Sequence, residues 1–347
     1  MIDPSGGGEY PTMVEALLSV AGPFQGKELE LKLSAGQHIL SGVVLDGNLT
    51  FSRLKITAAK DAFLSSSAST LLEVRAGAPP VELHGLTLNG QVVIESSTVE
   101  IAGCRFDSAS ARLNVRRRLQ ASTSVRALSI SGGSVTISDA VFKGLPGGAI
   151  EVSGGDVSVY TSAFKENTAE RGGALLVTGG ELRVHNSTFT DNIGLNEGGA
   201  LFFTSGEVRM SNSTFKDNKA NAGGAIRVIG PDATLELADL TEITGSESYG
   251  GSVASDVAWT FSLPCRLGHY LSNVQDGVAQ NSADVLGDYP IACSATLRGS
   301  GHYKSPLKTR PSLWPRSAVY WHTGLQAQLL GSRGLPHMLP RWHVIPP

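Results

Sequence analysis

Glu181 and Arg183 recur 26 residues later as Glu207 and Arg209, and His185 follows the first pair. These residue types can do glycoside chemistry. Hydrolysis needs two opposed carboxylates, and elimination needs a positioned base such as an arginine. Residues two apart on a strand share a face, so the same four also read as a charged strand face held by salt pairs. The second reading is preferred, because nothing in the sequence places an acid opposite either glutamate. Glu181, Arg183, Glu207 and Arg209 stand as the catalytic candidates, and the chain is read as leaning away from catalysis.

A second acidic series is Glu166, Asp191 and Asp217, beside Lys165 and Lys216. Stacked carboxylates repel unless they are solvated, paired or bridged by a cation. Calcium takes six to eight oxygen ligands, so one such series is an incomplete site. The three are calcium candidates only, and no cofactor is expected. Three glycosylation sequons begin at Asn48, Asn186 and Asn212, and the last two fall at equivalent places. In a eukaryotic secretory protein they would be glycan acceptors; Ser/Thr-rich turns also produce the motif readily. Of the three cysteines, Cys265 and Cys293 can form one bridge, and three reduced thiols including Cys104 is the equal alternative. No glycine run precedes a Lys-Ser/Thr, so no nucleotide loop is read.

All these residues sit in a repeat. Phe142, Phe164, Phe189 and Phe215 are spaced 22, 25 and 26 residues apart. Phe164, Phe189 and Phe215 each open a Phe-x-x-Asn unit ending at Asn167, Asn192 and Asn218. Glycine pairs interleave with them at Gly147-Gly148, Gly172-Gly173, Gly198-Gly199 and Gly223-Gly224, each followed by Ala-Ile or Ala-Leu. A weaker form, apolar-x-apolar followed five residues on by another apolar residue, runs upstream through Val135/Ile137/Phe142, Val99/Ile101/Phe106 and Val81/Leu83/Leu88 to Leu49/Phe51/Ile56. Period-two alternation means strands with one face inward. Strands of three to five residues cannot hold a sheet alone, so they must stack as rungs of a solenoid. Equivalent phenylalanines then stack inside, the asparagines form an inward amide ladder, and the glycines allow sharp bends and close approach of rungs. The expectation is an all-β fold: a single-stranded right-handed parallel β-helix over 29–260. A leucine-rich repeat would need a Leu-x-x-Leu-x-Leu signature that is missing.

The ends and one gap complete the organisation. Residues 1–28 are read as an N-terminal segment with a capping helix over Thr12–Ala21, carrying Met13, Leu17 and Val20 on one face. Thirty-six residues separate Phe106 from Phe142, and the excess, 108–126, holds Arg112, Arg116, Arg117, Arg118 and Arg126 without an acid. It is read as a solvated basic loop. Residues 261–299 form a Cys-containing segment. Residues 300–347, rich in Pro and Trp and basic, are read as a poorly ordered tail. No acid follows Asp288, so the rest of a chain of net charge −3 is acidic, which argues against nucleic acid as the main partner. No apolar stretch is long enough for a membrane helix, and the first ten residues lack the pattern of a signal peptide.

The alternation of Gly-Gly-Ala-Ile/Leu with Phe-x-x-Asn resembles the repeats of the polymorphic outer membrane proteins, the chlamydial adhesin and autotransporter family. It is also similar to repeats in surface proteins with pectin-lyase-like β-helices. The resemblance covers about 85 residues through the two motifs (Gly147–Ile226 and Phe164–Asn218). It implies a cell-surface or extracellular module with adhesion as one family role, here a passenger-like piece of a larger surface protein. Pro264-Cys-Arg-Leu-Gly-His-Tyr270 resembles the start of cysteine-rich modules in eukaryotic surface proteins. The expected function is therefore non-catalytic recognition of a cell-surface protein or glycan. The alternative is a carbohydrate-active enzyme, a polysaccharide lyase or glycoside hydrolase, on the same fold. An acid pair and a base converging in a groove would separate the two.

Overall fold

The computed structural model describes residues 2, 9–10, 12–20, 26–40, 42–59, 62–107, 125–238, 241–246 and 248, with short strands beyond them as far as Ala327–Gln328. The chain coils into a right-handed parallel β-solenoid of about eight turns. The rungs share three strand positions, and equivalent strands pair in parallel with the rungs on either side; two rungs add a short fourth strand, Thr168–Arg171 and Ile193–Glu197, between the second and third positions. One rung runs Glu181–His185, Thr188–Thr190 and Leu201–Phe203; the next runs Gly206–Ser211, Thr214–Lys216 and Ile226–Val228. We call the three resulting sheets the first, second and third faces, in chain order.

Register follows the apolar alternation. On the first face Val157, Leu182, Val208 and Leu235 align, and Val159, Val184, Met210 and Leu237 align beside them. All eight are buried. A one-residue slip would turn each row out to water, so the pattern fixes the pairing. On the second face Phe106, Phe142, Phe164, Phe189 and Phe215 form one stack, with centroids 4.5, 4.8, 4.7 and 4.5 Å apart and rings within 9° of parallel. Burying each ring contributes roughly 2–3 kcal/mol, and stacking adds about 0.5–1.5 kcal/mol. The column continues downward through Leu88 and Leu64 to His38, whose buried ring bonds the Ser34 carbonyl at 2.9 Å.

The lower end is covered by the helix Met13–Val20, shorter than the expected span by a residue at each end. Thr12 caps it, its Oγ1 accepting from the Glu15 N–H at 3.2 Å. Met13, Ala16 and Leu17 face the core. Ile2 also belongs to this cap: it is buried and bridges the first strand, its N–H donating to Lys32 O at 2.8 Å. The Gly-rich start gave no sign of this, because a single paired residue has no periodicity.

The insertion does not break the column. Phe106 and Phe142 touch directly, and Leu128–Ile130 pairs with Val92–Ile94 below and Ile150–Val152 above. Residues 108–124 lie outside the described residues. Arg126 corrects the sequence reading: it is no part of a solvated loop but is 4% exposed, with its guanidinium on backbone carbonyls. The pairing of Cys265 with Cys293 and the order of the 300–347 tail also fall outside the described side chains.

Candidate functional site

The turns between strands decide where the sequence-selected residues stand. From the first to the second face the chain turns through a left-handed residue: Asp139, Thr161, Asn186 and Asn212, at φ of 48–52°. From the second to the third face it turns through another: Glu166, Asp191 and Asp217, at φ of 54–57°. Asn and Asp tolerate this region better than other side chains that carry a Cβ.

This accounts for two of the motifs. In the sequon Asn186-Ser187-Thr188, Asn186 is the exposed left-handed turn residue, Ser187 is buried, and Thr188 begins the second-face strand. Asn212-Ser213-Thr214 repeats the arrangement, and the Asn212 Nδ2 donates to Asn186 Oδ1 at 3.2 Å. Asn48 is exposed in a separate turn, held by the Asp46 carboxylate at 3.0 and 3.1 Å. The calcium candidates Glu166, Asp191 and Asp217 form a column of turn residues. Glu166 lies within ion-pair reach of Lys143 (3.9 Å) and Lys165 (3.6 Å). Among the described residues, no three His, Cys, Asp or Glu side chains gather as a metal site.

Inside the second turn, Asn167, Asn192 and Asn218 are fully buried and stacked. The Asn192 amide donates to Phe164 O (2.9 Å) and Asn218 Oδ1 (3.0 Å), while its own Oδ1 accepts from the Asn167 amide (3.0 Å) and backbone (3.2 Å). Each amide thereby satisfies turn groups that would otherwise be buried without partners. A second polar column, not singled out in the sequence, lies at the first turn. Ser162, Ser187 and Ser213 are buried; each hydroxyl donates to the carbonyl two residues earlier (2.8–3.0 Å), and those of Ser187 and Ser213 accept the N–H of the serine one rung below (3.1–3.2 Å). The signal was Ser-x-Phe at Ser162, Ser187 and Ser213, masked by its overlap with the sequons.

The glycine pairs stack by backbone: Gly173 N–H donates to Gly198 O, and Gly199 N–H to Gly223 O (3.2 and 3.1 Å). A methyl group on Gly199 would overlap the Gly224 carbonyl.

Glu181, Arg183, Glu207 and Arg209 all lie on the outer surface of the first face. Register sets Glu181 beside Glu207 and Arg183 beside Arg209. Arg183 pairs with Glu181 on its own strand. Arg209 Nε meets Glu207 Oε1 at 2.6 Å and Glu236 Oε2 at 3.6 Å. The Glu207 carboxylate, by hydrogen bond and charge, holds Arg209 above its ordinary range. The two glutamates project in the same direction from a flat sheet, each engaged by an arginine. They are not opposed across a cleft. The next outward column is Tyr160, His185 and Ser211. Tyr160 is 41% exposed, with the His185 ring edge-on at 6.5 Å, and His185 Nδ1 lies 2.8 Å from Ser211 Oγ. Asn186 and Asn212 follow at the turn. The assembled site is therefore a flat, polar, ladder-regular platform carrying one exposed aromatic ring.

The fold is that of a β-helix protein. A family model described as right handed beta helix region matches residues 81–239. No curated protein and no solved structure matches the chain.

Proposed function

We propose that the chain is a non-catalytic recognition module of a cell-surface or extracellular protein, and that the first face from Asp156 to Ala238 is its binding surface. The supporting observation is the outward row of Glu181, Arg183, Glu207, Arg209 and Glu236, with Tyr160, His185 and Ser211 beside it. Its charges are satisfied in the plane of the sheet, and its groups recur at the rung spacing of about 4.8 Å. Exposed ion pairs of this kind contribute only about 0–1 kcal/mol to stability, so the fold does not require them. A long rigid surface with repeated polar groups suits an extended cell-surface protein or glycan. The repeat resemblance to the polymorphic outer membrane proteins points the same way, toward adhesion.

The test is binding of the purified chain to immobilised polysaccharides and fixed cells, compared with the double variant Tyr160→Ala/Arg209→Ala. Both positions are exposed, so the variant should fold as the parent does. Saturable binding that falls tenfold or more in the variant is the expected result. Equal binding by both proteins would move the surface elsewhere.

A further inference from the structure

The spacing from Phe142 to Phe164 is shorter than the two that follow, and the shortfall has a place. From Asn167 to Gly172-Gly173 the chain inserts Thr168–Arg171, a short strand paired with Ile193–Glu197 of the next rung. In the rung below, Leu145 stands at the level of Asn167, and only Pro146 separates it from Gly147-Gly148. Three residues are missing.

The loss has a hydrogen-bond consequence. In the full rungs the glycine pair donates upward: Gly172 N–H to Glu197 O and Gly173 N–H to Gly198 O, then Gly198 N–H to Ala222 O and Gly199 N–H to Gly223 O. The equivalent acceptors for the short rung are Arg171 O and Gly172 O. Its glycine N–H groups do not reach them; Gly147 N–H goes to Thr168 O and Gly148 N–H to Leu145 O. Arg126 arrives instead. Its Nη2 donates to Arg171 O at 2.5 Å, and its Nη1 to Gly172 O at 2.9 Å and Ala174 O at 3.4 Å. The side chain starts one rung below the short one and crosses it. Gly148 leaves the passage open, since a methyl there would overlap Nη1.

We propose that Arg126 is a strap that replaces the missing three-residue backbone segment, its guanidinium standing in for the two absent N–H donors and tying the end of the insertion to the solenoid two rungs on. A planar fork of donors fits two adjacent carbonyls, which an ammonium cannot do as well. Burial pulls the group down to about 10, so it remains a cation at neutral pH, opposed only by the charge of Glu151.

The experiment is a compensation cycle followed by thermal unfolding of the full chain. Arg126→Met should lower the midpoint by about 5 °C, and Arg126→Lys by less. Inserting Ala-Glu-Arg between Pro146 and Gly147, copied from Ala169–Arg171, restores a full rung. In that background Arg126→Met should shift the midpoint by no more than about 1 °C. Equal cost in both backgrounds, or no cost in the parent, overturns the proposal. Should the insertion variant not fold, Arg126→Ala is titrated with low-millimolar methylguanidinium. A saturable rise in midpoint in the variant but not the parent supports the strap, and parallel curves overturn it.

Discussion

Asn192 shows how much one side chain settles in a solenoid. Its amide donates twice and accepts twice, each time to a neighbour in an adjacent rung or turn. Asn192→Asp replaces both donated hydrogens by a lone-pair oxygen facing Phe164 O and Asn218 Oδ1. Urea denaturation should show a loss of about 3 kcal/mol or more at neutral pH, because one oxygen of the buried carboxylate keeps the two Asn167 donors while the other faces two acceptors. A loss below about 1 kcal/mol would mean that the ladder relaxes around the change. Cys104 makes the opposite case, a polar group of no evident chemical use. It is buried, its Sγ donates to Leu83 O at 3.3 Å, and desolvation pushes the thiol up to about 11. Native protein at pH 8 should leave Cys104 unlabelled by iodoacetamide, as read by peptide mass mapping, and unfolded protein should label fully. Labelling at equal rates in both states would contradict its burial.

At the scale of the element, the rung was legible in the sequence and its turns were only partly so. Alternating Val/Leu/Ile pairs and spaced phenylalanines give the strands and their register, because burial repeats with the period of the coil. Asn167, Asn192 and Asn218 were readable as an inward ladder for the same reason. The carboxylates beside them invited a metal reading; Asp191 and Asp217 also suit the left-handed turn that they share with Glu166. Local backbone preference and ligand chemistry select the same residues, and sequence alone does not separate them. Arg126 was hidden for another reason. Its partners lie 45–48 residues away and are backbone carbonyls, which leave no trace in side-chain identity. The glycine pairs permit a direct test of stacking. Gly199→Ala would drive a methyl into the Gly224 carbonyl, and it should cost roughly 2–4 kcal/mol in chemical denaturation. Gly26→Ala, where nothing lies within 4 Å but φ is +70°, should cost only about 1 kcal/mol of backbone strain. A cost at Gly199 no larger than that at Gly26 would show that the rung stack yields to the added methyl.

As a whole molecule, the solenoid separates an inside that the sequence must keep from an outside that it can vary. Phenylalanines, asparagines and serines run in continuous inner columns through several rungs. The first-face exterior changes character along the axis, from Arg53, Lys55 and His84 gathered around Glu82 to the Glu181–Glu236 platform. In the proposed function this platform binds without turning over what it binds. The most direct measurement is incubation of the purified chain with pectate, alginate and chondroitin, with calcium and with EDTA, following the ultraviolet absorbance of unsaturated products. A flat trace under every condition is predicted. A calcium-dependent rise that is lost in Arg183→Ala or Arg209→Ala would contradict the account and make the first face an active site.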